Sequence, residues 1–401
     1  MKTTILILSL MIAVNAVESQ STWTVCNSPT TQKLLSVFMP GQSKVLAGST
    51  NGILLMSTDY GQTFSTIPLG IVEDIHDICF FNSQNGRMLL GNNFMKTADG
   101  GLTWNIVSEI PGNPKAMHFL NPDTGFVACD LGMAFSTFNG GILWNSLVTG
   151  VTDRLEAVNF KNIGDGFWGG RNGASLRTFN QGLGFSTGVI PANGDIKDIQ
   201  FVNSINGYSC GDNGEILFTG DGGNTWSAQQ TPSTEPGMNA LHFPDPLNGW
   251  CSGEAGTIFH TSDGGNTWLV DLSGTQFELN NIHLFDNGHG FAVGDNGTVL
   301  RLGSGLTAIN ETETVLESFA IYPNPAHSAT TITFSLSIPA DITITLSDML
   351  RNQIKTIPSG ITRPGIHSLA LNCSDLNDGI YFYTLNVGGR IQKTGKLIVS
   401  K

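Results

Sequence analysis

The chain is poor in charge. Only 13% of its 401 residues are Asp, Glu, Lys or Arg, where about a quarter is usual. The charge it has is one-sided, a formal -13, and no run of Lys and Arg is present, which excludes a nucleic-acid partner, since phosphate binding needs clustered cations. Cysteine is sparse. The six residues Cys26, Cys79, Cys129, Cys210, Cys251 and Cys373 form no CxxC and no zinc-ribbon spacing, and they read as small buried apolar side chains. HExxH, GxSxG and P-loop motifs are absent, so the common zincin, hydrolase and NTPase signatures do not apply. Long apolar runs are also missing, apart from one at the N-terminus, so no membrane span is expected.

That run, MKTTILILSLMIAVNA, has a basic n-region at Lys2, an apolar core and a small-residue V-x-A site. Residues 1–16 therefore read as a secretory signal peptide. What the chain has in plenty is glycine, 49 residues, roughly 12% against about 7% in an average protein. With little charge and much Asn, Thr and Ser, this composition suits short strands joined by tight turns that need positive φ.

The strongest signal is repetition. DGGNTW occurs at Asp221–Trp226 and Asp263–Trp268, and looser copies occur as DYGQTF, DGGLTW, NGGILW and NQGLGF. Their starts at 59, 99, 139, 180, 221 and 263 are 40 to 42 residues apart. Upstream of each lies an apolar strand (LLSVF, DICFF, KAMHF, EAVNF, KDIQF, NALHF, NNIHL), seven in all. A third register holds turns such as GRNGASL, GDNGEIL and GDNGTVL. Each unit thus reads as four strands, one propeller blade. The seventh unit, from Glu278 to about Gly305, lacks its hairpin. A stray STWTV at Ser21–Val25 has no blade of its own, and Trp23 precedes Phe64 by 41 residues, in register with the later Trp positions. The expected fold is all-β: a seven-bladed β-propeller over 21–305, closed by its N-terminal strand, which removes the open edge.

The hairpin residues Asp59, Asp99, Asp221 and Asp263, with Trp104, Trp226 and Trp268, are expected to be structural. The Asp bonds its own turn, the glycines supply positive φ, and the ring packs between blades. These hairpins resemble the Asp-box (BNR) repeats of sialidases, sortilin-type receptors and xyloglucan-degrading glycoside hydrolases. Whole units such as INGYSCGDNGEILFTGDGGNTW most resemble the photosystem II assembly-factor-like propellers.

After about Gly305 the repeat stops. Residues 306–317 read as an acidic linker. Residues 318–401 carry alternating strands, among them TTITFSL, DITITLSD and GIYFYTL, expected to form a small β-sandwich. YPNPA at Tyr322–Ala326, SD at Ser347–Asp348, GIY at Gly379–Tyr381 and KLIV at Lys396–Val399 resemble the C-terminal sorting domain of type IX secretion substrates of Bacteroidota. Arg351 stands where that family's D-x-x-G turn has Gly. The resemblance implies recognition of 318–401 by the type IX secretion machinery, and a protein released or held at the outer cell surface.

Chemistry is hard to find. A sialidase needs three clustered Arg and a Tyr nucleophile. The propeller has only Arg87, Arg154, Arg171, Arg177 and Arg301, with Tyr60 and Tyr208 in a turn and a strand. A glycosidase carboxylate pair is neither identified nor excluded. No cofactor is implied. Two registers are candidates. Val37, Cys79, His118, Asn159, Gln200, His242 and His283 should ring the central channel, as a hydrated polar ring or, at His242 and His283, as metal ligands. Asp130, Arg171, Asp212, Glu254 and Asp295 should form a rim on the face opposite the DGG hairpins, as a ligand site or as plain turn chemistry. The preferred function is non-catalytic recognition of a protein or glycan. An extracellular polysaccharide-degrading glycoside hydrolase and an assembly factor for another exported protein are the alternatives.

Overall fold

The computed structural model describes residues 23–234, 236–303, 316–336, 340–348, 353–362, 365–387 and 390–401. The signal segment, most of the acidic linker and Arg351 lie outside these residues. The chain divides into two units, Met1–Leu306 and Thr307–Lys401. Among the described residues, no helix is long and apolar enough to cross a membrane.

The first unit is a propeller of seven four-stranded antiparallel sheets. The inner strands are Leu34–Phe38, Ile75–Phe80, Pro114–Phe119, Leu155–Phe160, Ile196–Phe201, Met238–His242 and Leu279–Asp286, which define blades 1 to 7. Second strands such as Gly166–Gly170 (GFWGG) are buried along their whole length. Their first glycine is required. The phenyl ring that ends the inner strand lies over it, and a Cβ on Gly166 would sit 2.4 Å from Phe160. Gly86, Gly125, Gly207 and Gly249 repeat the arrangement under Phe80, Phe119, Phe201 and Phe243.

The Asp-box hairpins are held by bonds within the turn, from the Asp and from one further side chain. In blade 5, Thr225 donates its N–H (2.9 Å) and its hydroxyl (2.6 Å) to Asp221. The hydroxyl of Thr219, two residues before the Asp, accepts the Gly223 N–H at 2.8 Å. A Ser or Thr does the same in all six hairpins. The Thr hydroxyls of 103 and 225, then their backbone N–H groups, hold Asp99 and Asp221 well below the usual carboxylate range.

The N-terminal strand Trp23–Val25 completes blade 7 by pairing antiparallel with Val299–Leu302 (Trp23 opposite Leu302). The indole of Trp23 donates to Asp271 of blade 6 at 3.1 Å. Asp271 also takes the Trp250 indole at 3.3 Å and pairs with His260 at 2.7 Å. On the other side of the seam, the buried Tyr60 hydroxyl accepts the Gly290 N–H at 3.1 Å and donates to the Leu302 carbonyl. The two sides of blade 7 are therefore locked by polar groups that have left water, which makes each of them expensive to remove.

The second unit is a sandwich of a three-stranded and a four-stranded sheet, with Ile332, Phe334, Ile344, Leu385 and Leu397 in its core. YPNPA and KLIV belong together here. Asn324 donates to the Lys396 carbonyl (2.8 Å) and accepts the Ile398 N–H (2.9 Å). Ala326 bonds Ile398 and Ser400 through its backbone.

Candidate functional site

The seven inner strands surround a cavity of about 550 Å³. All seven residues of the first register, Val37, Cys79, His118, Asn159, Gln200, His242 and His283, line it. Their role follows from the backbone. An inner strand leaves part of its N–H row without a strand partner, and buried donors must be paired. A side chain of the preceding blade supplies the acceptor. Phe160 N–H donates to His118 Nδ1 (3.2 Å), Phe201 to Asn159 (3.1 Å), Phe243 to Gln200 (2.8 Å) and Leu284 to His242 Nδ1 (3.2 Å). Two residues earlier in the strand, Asp77 accepts the Met117 N–H (2.8 Å), Asp198 that of Leu241 (3.0 Å) and Asn281 that of Val37 (3.2 Å). These side chains staple blade to blade.

The staples fix what the lumen sees. A histidine that accepts at Nδ1 is neutral and carries its proton on Nε2. Burial pushes both His118 and His242 down to about 4, in agreement. The lumen is therefore left with N–H donors: Nε2–H of His118 and His242, and the Asn159 amide. His283 is the exception. Its Nδ1 is buried without a partner, and the ring packs at a tilt between Phe38 (4.2 Å) and His242 (4.4 Å). Among the described residues, no three His, Cys, Asp or Glu side chains gather where they could hold a metal ion.

The mouth of this channel was not foreseen. Every inner strand shifts register after its first residue, a β-bulge, and a bulge re-aims the extra side chain. The extra residues are Leu35, His76, Lys115, Glu156, Lys197, Asn239 and Asn280, and all seven line the cavity. A column of polar residues three places before the first register (H, K, E, K, N, N from blade 2 onward) was the available signal.

The predicted rim residues each open the turn between second and third strands. All five are engaged within their own blade. Asp130 accepts from Asn113 (2.7 Å), Asp212 from the Asp195 N–H (3.0 Å), Glu254 from the Gly237 N–H (3.0 Å) and Asp295 from Asn280 (2.9 Å). None of these four lines the cavity, whereas Arg171 does. Its side chain is 52% exposed and leans on Glu156 at 3.3 Å.

The cations at the mouth lie on one side of it, and Arg154, Arg171 and Lys197 are each paired with a carboxylate. Lys115, Arg154, Arg171 and Lys197 lie on the adjacent blades 3 to 5, and Lys115 reaches His76 of blade 2 at 3.1 Å. Burial, and then Lys115, push His76 down to about 4, so it meets the ammonium as a neutral acceptor. Asp130 and Glu156 pair with Arg154 at 3.2 and 2.9 Å. Across the mouth, blades 6 and 7 present the amides Asn239 and Asn280.

With this geometry in hand, comparison with known proteins gives two family matches. Residues 14–183 and 228–303 match the photosynthesis system II assembly factor YCF48 family, and residues 320–400 match the secretion system C-terminal sorting domain. The tail makes this an exported protein of the type IX route, destined for the cell surface or the extracellular space. Among solved structures, YCF48 bound to D1 peptide is 20% identical with a TM-score of 0.60, over 70% of this chain and 95% of that one. YCF48 from Cyanidioschyzon merolae is 19% identical with a TM-score of 0.58, over 70% and 98%. The WD40 propeller domain of Doa1 is 13% identical with a TM-score of 0.56, over 71% and 97%. At these identities the structural likeness establishes the fold alone. No curated protein matches the chain.

Proposed function

Because the chain belongs to the photosynthesis system II assembly factor YCF48 family, which matches more than half of it, we propose that it binds an extended segment of another exported protein across the channel mouth, without catalysis. One observation carries this reading. A chain of net charge -13 gathers Lys115, Arg154, Arg171 and Lys197 around one cavity, above a lumen that offers the N–H groups of His118, His242 and Asn159, while its carboxyls Asp77 and Asp198 are engaged by backbone N–H groups. Such a site suits an acceptor-rich partner, with backbone carbonyls and acidic side chains, and the cations steer its approach. The bulged side chains and the Arg171 turn supply specificity, while the staples keep the ring rigid and so limit the ordering cost of binding. The solved YCF48 complex contains a peptide, which supports the same mode of use here.

A photo-crosslinking residue placed at Arg171, and separately at Asn224 on the Asp-box face, tests the assignment in the exporting cell. Position 171 is expected to yield one dominant protein adduct and position 224 none. Adducts at 224 alone would move the site to the other face. No adduct at either, with saturable binding of the chain to a glycan, would replace the peptide reading with the carbohydrate one.

A further inference from the structure

Two of the six cysteines meet across a blade interface. Cys210 lies opposite Asp198 in the ladder of blade 5, and Cys251 lies opposite Leu241 in that of blade 6. Directly opposed residues of an antiparallel pair point to the same face. Asp198 reaches over to accept the Leu241 N–H at 3.0 Å, so its face of blade 5 is the one turned to blade 6, and Cys210 shares it. Cys251 looks back from the other side. Both belong to one core cluster with Tyr208, Leu241 and Phe243, where they stand as free thiols. The other cysteines have no such arrangement. Cys79 and Cys129 share a cluster but sit opposite Arg87 and Pro114, at different ends of their strands. Cys26 packs in the cluster around Tyr60, and Cys373 is in the sorting domain.

We propose that Cys210 and Cys251 are a disulfide site, joining blades 5 and 6 once the chain has left the reducing cytosol. The inference rests on export, which the sorting domain supplies, and not on the identity of the ligand. Exported proteins meet oxidising conditions in which such bonds form and persist. The oxidant is a protein or low-molecular-weight disulfide. One cysteine thiolate attacks it, its S–S bond breaks, and the first leaving thiol takes a proton. The second cysteine then displaces the mixed disulfide, and a second thiol leaves with the other proton. Two thiols are oxidised and one external disulfide is reduced. Both sulfurs are buried in the finished ring, and burial pushes the Cys210 thiol far up, so little thiolate exists there. The exchange therefore belongs to the folding chain, before blades 5 and 6 close. The product is sealed against reductants until the ring opens.

Full-length protein recovered from exporting cells, alkylated at harvest and digested without reduction, tests the assignment by mass spectrometry. A cross-linked peptide pair containing Cys210 and Cys251 is expected, lighter by two hydrogens than the separate thiols, with every other cysteine alkylated. The leaderless chain made in a reducing cytosol should give both as free thiols. Reductant added under mild denaturant should lower the unfolding midpoint of the exported chain by about 5–10 °C, and should not shift a Cys210→Ala/Cys251→Ser variant. Recovery of both cysteines alkylated from the exported chain, or of either joined to another partner, overturns the proposal.

Discussion

Replacing Asp77 by Asn should stabilise the propeller at alkaline pH and leave it unchanged at acid pH. Asp77 sits on the channel wall of blade 2 and staples the Met117 N–H at 2.8 Å. Burial pushes its carboxyl up to about 7, with the N–H groups of Met117 and Ile78 opposing and Asp198 adding to the rise. Burial likewise pushes Asp198 up to about 6. An aspartate in the unfolded chain titrates near 3.9. The native state therefore binds the proton more tightly than the unfolded state does. The associated stability is fully present below about pH 4 and is lost as pH rises through 6 and 7. A shift of about three units corresponds to a ceiling of ~4 kcal/mol, and the water-accessible lumen on one side brings it to roughly half of that.

The molecule contains its own control. Asn281 holds the equivalent position in blade 7 and makes the equivalent staple to Val37 with an uncharged oxygen. Asp77→Asn should thus keep the hydrogen bond while removing the charge. All seven Trp residues precede the linker, so tryptophan fluorescence reports on the propeller alone. Urea unfolding of wild type and variant is expected to agree within ~0.5 kcal/mol near pH 3, where the carboxyl is neutral in both the folded and the unfolded chain and is isosteric with the amide. At pH 8 the variant should lead by about 2 kcal/mol. Equal stabilities at both values, or a loss of the same size at both, would mean that the native carboxyl is already charged and at ease at neutral pH, and the burial argument would be wrong.

Three further substitutions probe the ring. Tyr60→Phe removes a buried hydroxyl that bonds Gly290 and Leu302, and calorimetry should show a loss of about 1–3 kcal/mol with the fold retained. Asp271→Ala strands His260 and the indoles of Trp23 and Trp250 in the core. The expected loss is about 3–5 kcal/mol, read from the urea midpoint, with hydrogen exchange rising first in the N-terminal strand. Leu131 stands at φ 56° and 73% exposed, at a turn position occupied elsewhere by Asn51, Asn172, Asn213, Ala255 and Asn296. Leu131→Asn should gain about 1 kcal/mol in melting experiments, without lost packing.

The parts of this fold that could be read in advance are those whose chemistry is local. An Asp-box is a turn that satisfies itself within seven residues: Thr219, Asp221, Gly223, Asn224 and Thr225 bond one another. Its sequence is therefore its structure, six times over. Blade closure was readable because the count of strands was odd at both ends of the repeat. The functions of the channel and rim residues were not readable, because their partners lie a blade or a strand away. Equal spacing placed His118 and His242 on the wall but could not show that Nδ1 of each was already committed to Phe160 and Leu284. Asp212 and Arg171 look alike as turn openers before Asn-Gly. Only the ladder geometry shows the first bonded to the strand entry and the second turned to the cavity.

The bulges show how repetition and recognition are divided between backbone and side chain. In KAMHF, alternation runs cleanly outward from His118, so Lys115 reads as an ordinary strand residue, and a one-residue shift of register leaves no mark on a period of two. Yet the shift occurs in all seven blades, so the ring geometry demands it. What the geometry does not demand is the residue placed there. The Asp-box position tolerates only Asp or Asn across six hairpins, because an acceptor oxygen must meet the N–H four residues on. The bulge position carries Leu, His, Lys, Glu and Asn on the same backbone. A position with a fixed backbone and an unconstrained side chain, facing a cavity, is where a repeat protein can alter what it binds without altering how it folds.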